Sequence, residues 1–205
     1  PAVAVAVISG PNLAREVAAG QPAAGVIACE RSEAARELQG LFTGESFRAY
    51  TSTDVLGVEL AGALKNVIAL AVGMTNELGL GANAQASLVT RGLAEMARLG
   101  AALGAQAETF RGLAGMGDLM VTCASRHGRN RAVGERIGRG ESLEAILAGM
   151  EMVAEGVATT RSLVPLARRL GVEMPIAAEV HRVLFEGKDP LRALTDLMLR
   201  APKRE

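Results

Sequence analysis

One lysine lies in the middle of the apolar run at positions 58–72. At about 3.6 residues per turn, Lys65 shares a helical face with Val58, Ala61, Ile68 and Val72, a face that should be buried. The chain has three lysines, at 65, 188 and 203, and uses arginine for its other basic side chains. Because lysine can release a proton where arginine does not, the choice of lysine here favours a side chain that has to lose its proton. The simpler alternative is a lysine at the edge of the apolar face that reaches water.

An aspartate after two glycines, in Gly115-Met116-Gly117-Asp118, is the second group with chemical potential. Locally, Asp118 fits the N-cap of a short helix at 119–124. The other interpretation places its carboxylate beside the amine of Lys65, where it would hold the ammonium in position.

A basic turn is the third such feature, since Gly128 leads directly into Arg129, Asn130 and Arg131 at the start of a predicted helix. Arginine usually favours the opposite end of a helix. Here it adds to backbone N–H groups that already attract an anion, and phosphate is the obvious one. An ordinary solvated basic turn is the alternative.

The first fifty residues alternate between short apolar runs and short helical patterns. Strands are predicted at 3–8, 25–29 and 47–51, and helices at 14–18 and 32–41, which is typical of the tail of an α/β sheet. Because a buried-type strand at the very start lacks neighbours, we expect this chain to be the carboxyl-terminal portion of a longer protein.

From Thr53 onward the pattern is helical, which predicts a mainly α chain with two parts, residues 1–53 and an all-α domain at 54–205. Eight or so helices with short connections are expected. They are predicted from Thr53 or Asp54 to about 78, from Asn83 to about 103, as a single turn at 109–113, at 119–124, from the 126–131 turn to Gly138 or Gly140, at 142–150, from Thr159 or Thr160 to Gly171, from Pro175 to Gly187, and from Pro190 to about 200. The predicted N-caps of four of them are Thr53 or Asp54, Asn83, Ser142 and Asp189.

Composition excludes several function classes. The chain has 22 basic and 22 acidic side chains and 2% aromatic residues, which disfavours binding to nucleic acid or to an anionic membrane. Cys29, Cys123, His127 and His181 have no metal-ligand spacing, so no metal site is predicted. We find no secretory signal and no uninterrupted apolar run that would span a bilayer, and the prediction is a cytoplasmic protein.

Seven runs together carry a resemblance to a known family. They are VISGPNLA at 7–14, GVELAGALKNVI at 57–68, NA at 83–84, TRG at 90–92, LAGMGDL at 113–119, RNR at 129–131 and VAEGV at 153–157. In this order they resemble the bacterial NAD(P)-dependent glycerol-3-phosphate dehydrogenases, and the resemblance covers essentially the whole chain.

The resemblance implies a Rossmann domain for NAD or NADP, followed by an all-α substrate domain like the C-terminal domain of 6-phosphogluconate dehydrogenase. It implies interconversion of sn-glycerol 3-phosphate and dihydroxyacetone phosphate, which feeds glycerophospholipid synthesis. By motif match Lys65 would be the proton acceptor and Asp118 an active-site aspartate. The other implied residues are Gly10, Asn12, Gly128, Arg129 and Asn130 for the substrate; Ala14, Arg129, Val153 and Glu155 for the cofactor; and Asn66 and Thr122 in support.

The chain departs from the family pattern at two site positions, because Asn12 and Gly128 stand where serine is usual. Asparagine can still donate a hydrogen bond, whereas glycine leaves only its backbone N–H. No GxGxxG follows a predicted strand, so the first half of the dinucleotide domain is missing and the isolated chain is expected to be inactive. The residues that would separate NAD from NADP belong to that half.

Two other functions remain open at this point. One is a related dehydrogenase of a different hydroxy acid, which would need another anion site in place of Arg129 and Asn130. The second is a non-catalytic helical module for dimerisation or binding that retains the pocket residues. A homodimer is compatible with the apolar face formed by Leu191, Leu194, Leu197 and Met198.

Overall fold

A small α/β segment opens the chain. In a computed structural model, which describes residues 3–126, 128–150, 153–202 and 204, this segment forms one three-stranded sheet. Strand β1 is antiparallel to β2, and β2 is parallel to β3. The predicted alternation of strands and helices is confirmed, although the first strand is shorter than expected. The elements are β1 (Ala6–Ser9), α1 (Ala14–Ala18), β2 (Ala23–Cys29), α2 (Ser32–Phe42) and β3 (Phe47–Ser52).

The remainder of the described chain is helical, which confirms the mainly α fold class. The caps predicted from sequence are present at three helix starts, where Asp54, Ser142 and Asp189 each accept a hydrogen bond from a backbone N–H three residues later. The helices are α3 (Val55–Glu77), α4 (Ala82–Ala102), α5 (Ala107–Arg111), a π-helical turn (Leu113–Gly117), α6 (Asp118–Ala124), α7 (Arg129–Gly138), α8 (Leu143–Ala148), α9 (Glu155–Arg169), α10 (Pro175–Glu186) and α11 (Pro190–Met198).

Two predicted helix starts are wrong. Helix α4 begins after Gly81 with no side-chain cap, so Asn83 lies inside its first turn. Helix α9 begins at Glu155 rather than at Thr159 or Thr160. An acidic side chain in the first turn is favourable beside the positive end of the helix dipole, and Glu155 provides one.

Helix α3 lies at the centre of the helical part and packs against α4, α6, α7 and α9. It meets α7 backbone to backbone, because a Cβ on Gly73 would lie 2.1 Å from the Arg131 carbonyl oxygen. A Cβ on Gly134 would lie equally close, 2.1 Å, to the carbonyl oxygen of Leu70. These two glycines therefore bring the first two turns of α7 close to the second half of α3.

By length and hydropathy alone, α3 could also cross a membrane, which differs from the expectation that no apolar run is long enough to do so. Its most apolar window is 61% buried inside the protein. Ala61, Val67, Ala69 and Leu70 have no measurable exposure. This is the environment of the core helix of a helical domain, where burying a leucine contributes about 2 kcal/mol.

Candidate active site

Lys65 and Asp118 form a bidentate ion pair. The amine nitrogen of Lys65 lies 2.6 Å from both carboxylate oxygens of Asp118. The Lys65 side chain is 20% exposed and the Asp118 side chain 5%. The structure therefore brings the two groups together and does not use Asp118 as a helix cap, since no side-chain cap bond is present at the start of α6.

The π-helical turn at Leu113–Gly117 directly precedes Asp118 and forms the entry to α6. The Gly117 N–H donates to the carbonyl of Gly112 at 3.1 Å, and the turn packs tightly on α5. A Cβ on Gly115 would lie 2.2 Å from the Phe110 carbonyl oxygen, so only glycine fits there. Single π turns of this kind occur frequently at functional sites.

Two hydroxyl groups complete the surroundings of the Asp118 carboxylate. Ser9 donates to Oδ2 and Thr122 donates to Oδ1, each at 3.2 Å. Thr122 was predicted as a supporting residue, but Ser9 was not singled out within its motif. The available signal was a polar side chain at the end of β1, immediately before a glycine and a proline.

A cavity of about 890 Å³ lies in front of Lys65, between the α/β segment and the helical part. It is lined by residues from α1, α3, α6, α7 and the start of α9. Eight of the twelve predicted site residues line it: Ala14, Lys65, Asn66, Thr122, Gly128, Arg129, Asn130 and Glu155. Asp118 sits behind Lys65 and is not among the lining residues.

The remaining predicted residues, Gly10, Asn12 and Val153, lie outside this lining. Gly10 has a φ of +147°, and a Cβ there would lie 2.8 Å from the Cα of Gly25, so it packs the end of β1 onto β2. The side-chain nitrogen of Asn12 lies beside Gly25, 3.6 Å from the position of a Cβ added there. Val153 is 71% exposed, and its carbonyl oxygen accepts a hydrogen bond from Arg129 at 3.2 Å.

Asn66 and Asn130 join three helices through one buried hydrogen-bond chain. The amide of Asn130 donates to the side-chain oxygen of Asn66, and its own oxygen accepts from the Gly156 N–H, both at 2.9 Å. Asn66 in turn donates to the Gly62 carbonyl at 3.2 Å and to Glu155 at 3.5 Å. These hydrogen bonds link α3, α7 and α9. Both polar atoms of the Asn130 side chain therefore have a partner within the protein.

Arg129 is the first residue of α7, and Gly128 before it provides no side-chain cap. The first-turn N–H groups of any helix lack intrahelical acceptors, and here they come with an arginine at the wall of the cavity. A guanidinium nitrogen of Arg129 lies 4.0 Å from Glu155, and both side chains are largely exposed. Solvent screens such a pair, so the guanidinium is available to an anion.

A metal centre finds no support in this arrangement. No group of three or more His, Cys, Asp or Glu side chains placed to hold an ion occurs in the described part of the chain. His127 lies outside the described residues. What the cavity does combine is an amine that can give or take a proton and a cationic helix start that can hold a phosphate.

Two family models match the chain. The C-terminal model of NAD-dependent glycerol-3-phosphate dehydrogenase matches residues 54–195, and the N-terminal model of the same family matches residues 1–35.

Relatives and a solved structure agree with these matches. The chain is 56% identical over 200 residues to a glycerol-3-phosphate dehydrogenase of NAD(P)+ type from Syntrophotalea carbinolica, covering 98% of this chain and 60% of the relative. It is 55% identical over 207 residues to the enzyme of the same name from Geobacter metallireducens, covering 100% of this chain and 62% of that relative. The crystal structure of glycerol-3-phosphate dehydrogenase from Coxiella burnetii superposes with a TM-score of 0.93 at 42% identity, covering 97% of this chain and 61% of that one.

The chain thus spans about 60% of the length of the curated relatives it matches. The match to the C-terminal family model covers all the helices from α3 to α10 and ends within α11. The chain belongs to the NAD-dependent glycerol-3-phosphate dehydrogenase family.

Proposed function

We propose that this chain is the substrate-binding and proton-transferring part of an enzyme that interconverts sn-glycerol 3-phosphate and dihydroxyacetone phosphate with NAD or NADP. In this proposal residues 1–53 are the end of the dinucleotide domain and 54–205 the substrate domain. The observation that carries it is the bidentate Lys65–Asp118 pair at a cavity whose wall also includes Arg129.

Proton transfer is assigned to the amine nitrogen of Lys65. In the oxidising direction the neutral amine takes the proton of the substrate's secondary hydroxyl. In the reducing direction the ammonium polarises the ketone oxygen and then donates its proton there. Asp118 holds the amine through both oxygens, which restricts the directions from which Lys65 can meet the substrate.

Phosphate binding is assigned to Arg129 together with the first-turn N–H groups of α7. A guanidinium gives two parallel hydrogen bonds to phosphate oxygens, and the helix dipole adds to that attraction. Gly128 contributes backbone only, because glycine has no side chain. The expectation that Gly10, Asn12 and Asn130 contact the substrate forms part of the same proposal.

The residues around the cavity fit one end of a dinucleotide. A volume of about 890 Å³ exceeds what a three-carbon phosphate fills and leaves room for a second group beside it. Ala14, Arg129, Val153 and Glu155 are the residues that would contact the nicotinamide side. When bound, NAD or NADP supplies or accepts the hydride.

Thermal unfolding with glycerol 3-phosphate tests the substrate assignment on this chain directly. Ligand at about 100 times its dissociation constant should stabilise the fold by about 2.7 kcal/mol, which appears as a higher Tm. Arg129→Ala should abolish that increase, while the exposed Arg36→Ala on α2 should keep it. Glycerol alone should have no effect, and a Tm that no phosphate ligand changes would favour the non-catalytic module.

Turnover separates this activity from that of a related dehydrogenase. We expect no turnover from these 205 residues alone, because none of the described residues forms a glycine-rich pyrophosphate site. The full-length enzyme should reduce dihydroxyacetone phosphate and leave 2-hydroxy and 3-hydroxy acids without a phosphate unreacted. Turnover by the isolated chain would contradict the proposal that cofactor binding requires a dinucleotide domain beyond these 205 residues.

We further propose a cytoplasmic homodimer. Leu191 and Met198 on α11 are 54% and 76% exposed and lie beside the half-buried Leu194 and Leu197. An apolar patch of this kind supports contact with a second copy. Light scattering of the wild type and of Leu191→Asp measures the assembly, and an unchanged monomeric mass in both would reject it.

A further inference from the structure

The Asp118 carboxylate accepts four hydrogen bonds. Each oxygen accepts one from Lys65 and one from a hydroxyl, Thr122 on Oδ1 and Ser9 on Oδ2. An ionised carboxylate offers about four acceptor positions, so all of them are occupied, and three side chains fix its orientation. Asp118 is also 4% exposed, which leaves little room for water to replace a missing donor.

The three donor side chains come from different parts of the chain. Lys65 and Thr122 belong to the helical part, and Thr122 is one turn beyond Asp118 on the same helix. Ser9 belongs to β1 and lies 109 positions earlier in the sequence. Among the described residues, it provides the side-chain hydrogen bond that links the α/β segment to this carboxylate.

The position of Ser9 is well determined on both sides. In the sheet it pairs with Val26 of β2, and the following Gly10 packs against Gly25 so closely that no Cβ fits between them. On the other side, a Cβ added to Gly62 of α3 would lie 3.5 Å from the Ser9 hydroxyl. The hydroxyl is therefore held between β2 and α3 with Asp118 within reach.

We propose that Ser9 is a positioning residue for proton transfer. Its hydroxyl orients the Asp118 carboxylate, and the carboxylate in turn orients the Lys65 amine. The amine therefore keeps a fixed position relative to the α/β segment, which borders the cofactor side of the cavity. Ser9 itself does not touch the reacting atoms. The inference rests on the proposed function for its catalytic meaning, but the ordering of Lys65 can be measured without any activity.

Chemical labelling of the lysine amines tests the ordering on this chain. With an acylating reagent and peptide mass spectrometry, Ser9→Ala should label Lys65 about tenfold faster than wild type, because a hydrogen bond to a charged group is lost. Ser9→Thr keeps a hydroxyl and should restore the wild-type rate. Lys188 serves as the internal reference, and Ser32→Ala, an exposed serine of the same segment, is the matched control.

Kinetics of the full-length enzyme test the catalytic meaning. Ser9→Ala should lower kcat about tenfold with KM unchanged, and Ser9→Thr should recover kcat. In an Asp118→Asn background the Ser9→Ala change should have no further effect, because both act through the same contact. A higher KM with unchanged kcat would overturn the proposal.

The labelling result also separates the two hypotheses. Unchanged Lys65 labelling in Ser9→Ala, or an equal increase at Lys65 and Lys188, overturns the role of Ser9 and leaves the proposed function untouched. If the full-length wild type shows no activity towards glycerol 3-phosphate, the proposed function fails. Faster labelling specific to Lys65 would then still support Ser9 as the residue that orders the amine.

Discussion

Two half-buried lysines of this chain sit in contrasting surroundings. Lys65 is 20% exposed and is held by one carboxylate, which it shares with two hydroxyls. Lys188 is 15% exposed and is held by two carboxylates, Glu179 of α10 and Asp196 of α11, the latter at 2.7 Å. The hydrogen bonds that Lys188 donates to Asp196 and Glu179 raise the pKa of Lys188 above its ordinary value.

The difference teaches which buried amine can do chemistry. Lys188 joins two helices at the Gly187 turn, and its two acidic partners keep it charged, so it acts as a structural cation. Lys65 faces a cavity and is paired with one carboxylate, that of Asp118. The hydrogen-bond acceptor positions of this carboxylate are shared among three donor side chains. Burial of a lysine is therefore a weak indicator of a site, whereas burial beside a cavity with a single shared acid is a stronger one.

The strongest test of this contrast removes each amine in turn. In the full-length enzyme, Lys65→Ala should lower kcat by about 10²–10⁴-fold, because general acid and base assistance is lost. The fold should remain, since Asp118 keeps Ser9 and Thr122 as donors, but Tm should fall because the buried carboxylate loses its charged partner. Turnover assays and circular dichroism measure the two effects. Turnover that persists across the pH range would contradict the assigned role.

Lys188→Met is the matched variant and should differ from Lys65→Ala in turnover. It leaves the carboxylate of Glu179, a residue 7% exposed, with Arg182 as its remaining charged partner. Removing one partner of a buried pair is destabilising, so Tm should fall by roughly 3–8 °C while kcat stays unchanged. A loss of turnover in this variant without a change in Tm would break the comparison.

Glu95 extends the comparison to a buried carboxylate that accepts hydrogen bonds from backbone N–H groups. It is 1% exposed and accepts hydrogen bonds from the N–H groups of Ile176 at 2.7 Å and Ala177 at 3.2 Å, at the start of α10. Burial raises the pKa of Glu95 to about 7, more than these two bonds and Arg98 lower it. Its ionisation is therefore costly in the folded protein.

The sign of the resulting pH dependence follows from linkage. Between about pH 4.5 and 7 the folded protein binds the Glu95 proton more tightly than the unfolded chain, so this residue's contribution to stability falls as pH rises, by on the order of 3 kcal/mol. Glu95→Gln should thus gain stability relative to wild type across that window. Tm values of both proteins at pH 5 and pH 8 measure it, and a constant difference would show that Glu95 does not titrate there.

Local sequence rules predicted most of the fold. Apolar periodicity identified α3 and its inward face, and short polar caps located the starts of the helices after Asp54, Ser142 and Asp189. These features depend on residues within one or two turns of each other, so their physics can be read from sequence. The same holds for the placement of Lys65 on a largely buried helix.

Contacts between distant residues were the part that local rules could not supply. The bond from Ser9 to Asp118 spans 109 positions, and the π turn before Asp118 depends on how Gly115 packs against Phe110. Sequence alone left Asp118 undecided between a cap and an ion pair. The family resemblance, rather than any spacing rule, indicated that Asp118, Arg129 and Glu155 belong to one site.

The smallest effect is expected at Cys123, which lies near Lys65 yet belongs to the core. Burial raises the pKa of its thiol to about 12, although the charges of Arg131 and Lys65 oppose the shift. At pH 8 the thiol should be neutral and nearly inert to iodoacetamide in the folded chain, because only the thiolate reacts. Unfolding in guanidinium should restore labelling of Cys123 and of the buried Cys29. Rapid labelling of native Cys123 would mean that water reaches the core behind the Lys65–Asp118 pair. Lys65 would then be a solvated lysine, and its contrast with Lys188 would fail.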